Sequence, residues 1–294
     1  MGEPTGLGGA VTRVAILTDS TADLPPALQA QHGITVVPLN VHFGTEVLLD
    51  QVEIGTDEFM ARLGRAPKMP TTSQPAVGVF EAAFRRLAPD HDAIVAVLIS
   101  SKLSGTLQSA TLAADLVRDT IPVEIVDSLN GSMGLGFQVL RAADLAAQGV
   151  VASEIARRLR SETEAYHTVF FVDTLEFLQR GGRIGRASAL LGGLLNLKPL
   201  LRVDEGQVVP FERTRTRARA IQGLVDFVQG LPNVGRISAL YATSAADGAD
   251  LAGRLAVATG VPTDAVVVAQ LGPVIGVHIG PGAMGVAVFE GAEA

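Results

Sequence analysis

The chain has 294 residues, 48% hydrophobic and 18% charged, which is enough apolar material for a sizeable core and too much for a disordered chain. A net charge of -7 and a pI of about 5.3 lack the basic face of a nucleic-acid-binding domain, and two Tyr with no Trp leave little on which bases could stack. The absence of cysteine excludes disulfide scaffolds, thiolate zinc sites and cysteine nucleophiles.

Residues 1–12 are Gly-rich without an apolar stretch and read as a loose tail, not a signal peptide. With no targeting signal, the expected location is cytoplasmic. Val14–Leu17 is a β-type run that ends in Thr18-Asp19-Ser20-Thr21, and Pro25 and Pro26 open a helix. Ile34–Val41 reads as a second strand, and Thr56 to Leu63 as a helix capped by Thr56. The polar loop Met69 to Pro75 precedes a helix from about Ala76 to Leu87. Ile94–Ile99 is a buried strand running into Ser100-Ser101-Lys102-Leu103-Ser104-Gly105-Thr106 and then a helix. Val123–Val126 is a strand, followed by a Gly-rich turn and a helix to about Gln148. Strands alternating with helices predict an α/β fold with a parallel sheet and helices on both faces, whose ligands bind beyond the carboxyl ends of the strands.

The second half changes character. A helix near Ala152–Ala165 and the strand Thr168–Val172 lead into Asp173 to Gly185, then a very apolar segment, Ala187 to Leu201. Leu200–Val203 and Val208–Phe211 form a hairpin about Asp204-Glu205-Gly206. A helix ending near Gly230, the strand Ile237–Thr243, a helix over Gly248 to Thr259 and the strands Ala265–Ala269 and Val286–Phe289 follow. This mixture predicts a mixed-sheet α/β domain. The expected division is a tail over 1–12, an N-terminal domain over 13–160 and a C-terminal domain over 161–294. Residues Ala265 to Phe289 carry no charged side chain, but Gly272, Pro273, Gly276, Gly280 and Pro281 divide them, so they read as short buried strands and turns, not a membrane helix.

Four constellations bear on function. Thr71, Thr72 and Ser73 are either caps for the next helix or donors to a ligand. Ser100-Ser101-Lys102-Leu103-Ser104-Gly105-Thr106, a strand-to-helix turn, suits either a cap or an anion such as a carboxylate or phosphate. His278, flanked by Gly276 and Gly280, is either a core histidine or a group beside a ligand. Arg180, Arg183, Arg186, Arg213, Arg215, Arg217 and Arg219 form either a solvated face or a surface that docks an acidic partner. In a strand, Arg213, Arg215 and Arg217 would share one face. The remaining histidines lack metal-ligand spacing, so no metal site is expected. Asp19 and Asp127 at strand ends leave a carboxylate pair conceivable, although Asp at such turns is usually structural. Gly280, Gly282 and Gly285 match a dinucleotide fingerprint in spacing only, with a strand in place of the helix such a motif needs.

Thr18 to Pro25, Thr72-Ser73-Gln74-Pro75, Ser101 to Thr106, Asp173 to Leu178 with Arg180-Gly181-Gly182-Arg183-Ile184, Leu197 to Leu201, and Gly276 to Gly282 occur in order along the chain. This set, over about residues 14–290, resembles the DegV family of fatty-acid-binding proteins. The resemblance implies two α/β domains with one long-chain fatty acid held between them and no other cofactor. It also implies a non-catalytic protein, without nucleic-acid binding or stable membrane insertion, that presents the acyl carboxylate to a separate fatty acid kinase for phospholipid synthesis. Carried over by motif, Thr72 and Ser104 would bond the carboxylate, with Ser73, Gly105 and His278 close by. Arg183 and one of Arg213 or Arg215 would lie on the kinase-docking face. Two rival readings are a lipid-sensing module without a kinase, and an enzyme acting on an acyl or phosphorylated small molecule at the Asp19 and Asp127 turns.

Overall fold

The computed structural model describes residues 13–191 and 198–291. The expected tail and Leu194, Leu195 and Leu197 of the apolar segment lie outside the described residues.

The N-terminal half comprises β1 (Val14–Asp19), α1 (Pro26–Gln31), β2 (Thr35–Val37), β3 (Asn40–Phe43), β4 (Glu46–Leu49), α2 (Thr56–Leu63), β5 (Thr71–Ser73), α3 (Val77–Leu87), β6 (Ala93–Leu98), α4 (Thr106–Val117), β7 (Val123–Asp127), α5 (Met133–Ala147) and α6 (Ala152–Ser161). Strands β2-β1-β6-β7 form a parallel sheet in that order. Its strands are apolar on both sides because both faces are covered. Ile16, Val95 and Val97 pack towards α5 and α6, while Ala15, Leu17, Ile94, Ala96 and Leu98 pack on Phe80 and Phe84 of α3 and Ala110 and Ala113 of α4.

The expected single strand over Ile34–Val41 is two. Pro38 has no amide hydrogen to continue a ladder, so the chain leaves β2 and re-forms as β3 in a separate antiparallel sheet ordered β4-β3-β5. The polar loop before α3 supplies its third strand, β5. Neither α2 nor α3 has a side-chain cap: Gly55 precedes α2, with Thr56 as the first helical residue, and Ala76 precedes α3.

The C-terminal half comprises β8 (Tyr166–Phe171), α7 (Glu176–Arg180), β9 (Lys198–Asp204), β10 (Gln207–Thr214), α8 (Arg217–Gln229), β11 (Val234–Tyr241), α9 (Ala245–Thr259), β12 (Val266–Gln270), α10 (Pro273–Ile279) and β13 (Met284–Glu290). Its six strands run β10-β9-β8-β13-β11-β12, all neighbours antiparallel except β11 and β12. The hairpin turns at Glu205 and Gly206, both with positive φ as a two-residue turn between twisted strands demands. Arg213, Arg215 and Arg217 do not share a strand face: β10 ends at Thr214 and Arg217 opens α8. The expected strand pieces between Ala269 and Val286 are corrected too, since Gly272-Pro273 starts the helix α10, Pro being pre-set for a first turn, whereas the strand Val286–Phe289 is found within β13.

One face of this sheet, through Val169, Phe171, Ile237, Ala239, Val286 and Val288, packs on α8 and α9. The other, through Phe170, Leu201, Leu240, Ala287 and Phe289, packs on α5 of the N-terminal half. Helix α5 thus lies between two sheets and is buried on nearly every side. Buried Asn130, before α5, ties the halves together: its amide donates to the Tyr166 carbonyl at 3.0 Å and its oxygen accepts from Thr168 Oγ1 at 2.7 Å. At the hairpin tip, Ser100 Oγ donates to the Gly206 carbonyl at 2.8 Å. The architecture is two-domain α/β, with an N-terminal parallel sheet and a C-terminal mixed sheet. Among the described residues no helix is long and apolar enough to cross a membrane.

Candidate functional site

Three elements from different parts of the chain converge at one end of a cavity between the halves. The edge strand β5 brings Thr72 and Ser73, the turn between β6 and α4 brings Ser104, and α10 brings His278. Thr72 Oγ1 lies 3.0 Å from His278 Nε2. Ser73, the next residue on the strand, turns its hydroxyl to Asn40 Nδ2 at 3.2 Å and to His42 Nε2 at 2.9 Å. Ser104 Oγ lies 2.8 Å from Thr106 Oγ1 and accepts from the Thr106 amide at 3.3 Å. Gly105, the residue before α4, lets Gln74 approach: a Cβ there would stand 2.9 Å from Gln74 Nε2.

Arg183 was expected on a docking face with Arg213 and Arg215. The structure brings Arg183 alone to the cavity, half-buried, with Nε bonded to the Leu103 carbonyl at 3.0 Å and a terminal nitrogen to the Gly181 carbonyl at 2.8 Å. Arg213 and Arg215 are exposed and do not line the cavity. Gly181 has a steric reason, because a side chain there would collide with His278 Nδ1, while Gly182 adopts a positive φ of 71°.

Most of the remaining wall is apolar. Leu39, Ile99 and Leu103 come from the N-terminal half, and Phe170, Leu240 and Ile275 from the C-terminal half. The cavity has a volume of about 100 Å³. Ser132 and Thr168 also line it, and sequence reasoning singled out neither. Ile275 was missed as well. It lies three residues before His278, on the same side of α10, and the Gly272-Pro273 start was the signal that could have revealed the helix.

Burial, and secondly the Arg183 guanidinium, push the His278 imidazole down to about 4. At neutral pH it is therefore uncharged. Its Nδ1 is buried without a partner, so Nε2 facing Thr72 is its one hydrogen-bonding atom in use. Asp19 and Asp127 serve turns. Asp19 accepts from the Thr21 and Ile99 amides, Asp127 from those of Ser101 and Leu129, and neither lines the cavity.

Beside the cavity lie three buried carboxyls, Asp19, Asp23 and Asp50. Burial is the main cause that raises all three, with Asp50 pushed up to about 7; the neighbouring Asp19 charge adds to the rise at Asp23 and Asp50. The Ser132 hydroxyl is near enough to Asp23 to favour its ionised form, yet the Ser132 oxygen makes no hydrogen bond. A carboxyl raised in the folded state binds its proton more tightly there than in the unfolded chain. Its contribution to stability is therefore full below about pH 4 and is lost as pH rises through the folded value. Asp50→Asn removes that loss, so relative to the parent the variant should gain stability between pH 5 and pH 8. Urea unfolding at both values checks this; an equal stability difference at both contradicts it.

The family model described as "Uncharacterised protein, DegV family" matches residues 13–291. This chain belongs to the DegV family. A DegV domain-containing protein of Streptomyces coelicolor is 39% identical over 279 residues, 94% of this chain and 98% of that one. Two solved structures share the DegV fold closely. A DegV family protein of Thermus thermophilus, described for fatty-acid binding, is 36% identical with a TM-score of 0.86 over 95% of this chain and 99% of its own. DegV of Bacillus subtilis, described as a fatty acid binding protein, is 34% identical with a TM-score of 0.84 over 95% of this chain and 100% of its own.

Proposed function

We propose that this DegV-family chain is a non-catalytic, cytoplasmic carrier of one long-chain fatty acid, held between domains spanning 13–160 and 161–294. It presents the carboxylate to a separate fatty acid kinase, where a carboxylate oxygen attacks the γ-phosphorus of ATP, ADP leaves and an acyl phosphate forms. The observation that carries the reading is the cavity itself: lined mostly by apolar side chains, with the Thr72, Ser73 and Ser104 hydroxyls and a neutral imidazole in its wall.

Each part of that geometry suits a fatty acid. Every methylene moved from water to the aliphatic wall contributes roughly 0.8 kcal/mol. A carboxylate accepts hydrogen bonds and donates none. With His278 Nε2–H donating to Thr72 Oγ1, the Thr72 hydroxyl proton is free to point at the anion, and Ser104 adds a second hydroxyl. Ser73 and Gly105 shape the same corner, and half-buried Arg183 adds a positive charge. Exposed Arg213 and Arg215 are assigned to the docking face. The fatty-acid descriptions of the Thermus and Bacillus relatives support the reading.

Two measurements test it. Titration with hexadecanoate should saturate at one ligand per chain; no uptake overturns the carrier reading. The loaded protein, mixed with ATP and an acyl kinase from the same cell, should yield acyl phosphate. Binding without acyl phosphate would favour a lipid-sensing module instead.

A further inference from the structure

Helix α10 has only seven residues, yet it carries Ile275 and His278 into the cavity wall. Its height and rotation therefore set where His278 meets Thr72. Little within the helix fixes them, since a helix this short is not stable by itself.

The hydrogen bonds that hold the opening turn of α10 come from the N-terminal half, while its far end packs on α7 and the turn after it, Phe177 against Gly280 and Gly181 against His278. Asp23, just after β1, accepts from the Gly272 amide at 2.9 Å, and Asp50, just after β4, accepts from the Val274 amide at 3.4 Å. These are opening amides of a helix, which have no partner within it. Gln51 braces the arrangement, reaching Asp23 Oδ1 at 3.5 Å and the Ser20 carbonyl at 3.3 Å. The fit is tight: a Cβ on Gly272 would stand 2.8 Å from Asp23 Oδ1. One turn on, a Cβ on Gly276 would stand 2.9 Å from Phe59 and Met60.

Both carboxyls are buried, and each leaves its second oxygen, Oδ2, without a partner. A buried polar atom without a partner is destabilising by about 1–3 kcal/mol. An apolar pair would fill the same space without that penalty, but would offer no acceptor to the α10 amides. From Gly272 to His278 the helix rises about 9 Å at 1.5 Å per residue. Restraint at the first amide therefore acts on the ring at the far end.

We propose that Asp23 and Asp50 are positioning residues for the head-group end of the cavity: reaching from the N-terminal half to the first turn of α10, they place His278 against Thr72. Asp23, with the shorter hydrogen bond, is the principal one. The role rests on the fatty-acid reading above.

The test is a double-mutant cycle. Asp23→Ala, Asp23→Asn and Asp50→Ala are made alone and together with His278→Ala, and the affinity for hexadecanoate is measured for each. The ring nitrogens of His278 are also followed by NMR in the ligand-free protein. Asp23→Ala should weaken binding about tenfold, the scale of one buried hydrogen bond, and shift the His278 signals. In the His278→Ala background its further effect should be less than about twofold. Asp23→Asn, whose amide oxygen still accepts from Gly272, should restore parental affinity and His278 signals. Asp50→Ala should act in the same direction with a smaller loss. An equal loss from Asp23→Ala with and without His278, or unchanged affinity and unchanged His278 signals, would overturn the proposal. If the parent chain takes up no hexadecanoate, the fatty-acid reading fails on its own. The His278 signals then still decide the positioning role, and unchanged signals in Asp23→Ala reject it.

Discussion

Replacing Thr72 with alanine is expected to weaken the binding of a long-chain fatty acid by about 10- to 100-fold, the range of one hydrogen bond to a charged group. Thr72 is the hydroxyl held by His278, with Nε2 and Oγ1 3.0 Å apart, so its orientation is set before any ligand arrives. On the proposed reading Ser104→Ala acts on the same carboxylate and should cost a similar factor. If both hydroxyls serve one anion, the double variant should fall short of the product of the two single effects. The aliphatic wall is untouched in either variant, so the gain in affinity per added methylene should stay as in the parent. Calorimetric titration with a series of saturated acids checks both parts. Unchanged affinity in the double variant would refute the head-group assignment.

The second large effect concerns stability. Phe59→Ala should destabilise the protein by about 3–5 kcal/mol, the usual loss for a buried phenylalanine. Phe59 is fully buried in a small core with Leu39, Val41, Ile54, Val274 and Val277, and its ring lies 5.9 Å from that of Phe43. The site is poorly able to collapse, because Gly276 has no side chain to move into the space left. Urea unfolding measures the loss. Val257→Ala, on an 88% exposed side chain, is the control and should stay within about 0.5 kcal/mol. A loss below about 1 kcal/mol for Phe59→Ala would show that this small core does not seat α10.

Much of the fold could be read from patterns with one physical cause each. The unbroken apolar run in Ile94–Ile99 announces a strand covered on both faces, and the structure covers it with α3 and α4 on one side and α5 and α6 on the other. Asp204-Glu205-Gly206 announces a hairpin because Gly accepts positive φ; Glu205 adopts it as well, which only the fold shows.

The failures are equally specific. Pro38 interrupts a run whose alternation continues across it, so a strand that changes sheets looks like one strand. Around His278 the high glycine content masked α10, because Gly276 lacks a side chain for packing against Phe59 and not for a turn. Thr71 to Ser73 read as loop or cap, since three polar residues carry no apolar alternation. They form a strand because β3 offers an edge formed far earlier in the chain. Asp50 drew no attention in the sequence. Its burial and its bond to the Val274 amide depend on α10 arriving from the other half. Arg183 could be picked out as important by its motif, but its inward place depends on the Leu103 carbonyl, 80 residues away.

On the reading proposed above, the cavity between the halves is the seat of one fatty acid. Native mass spectrometry of the protein purified from its own cell, followed by denaturation and identification of what is released, tests this most directly. The expected result is a complex of one chain with one long-chain fatty acid, which is lost or depleted in the Thr72→Ala, Ser104→Ala double variant. A protein that carries no lipid and takes up none when hexadecanoate is added would contradict the account.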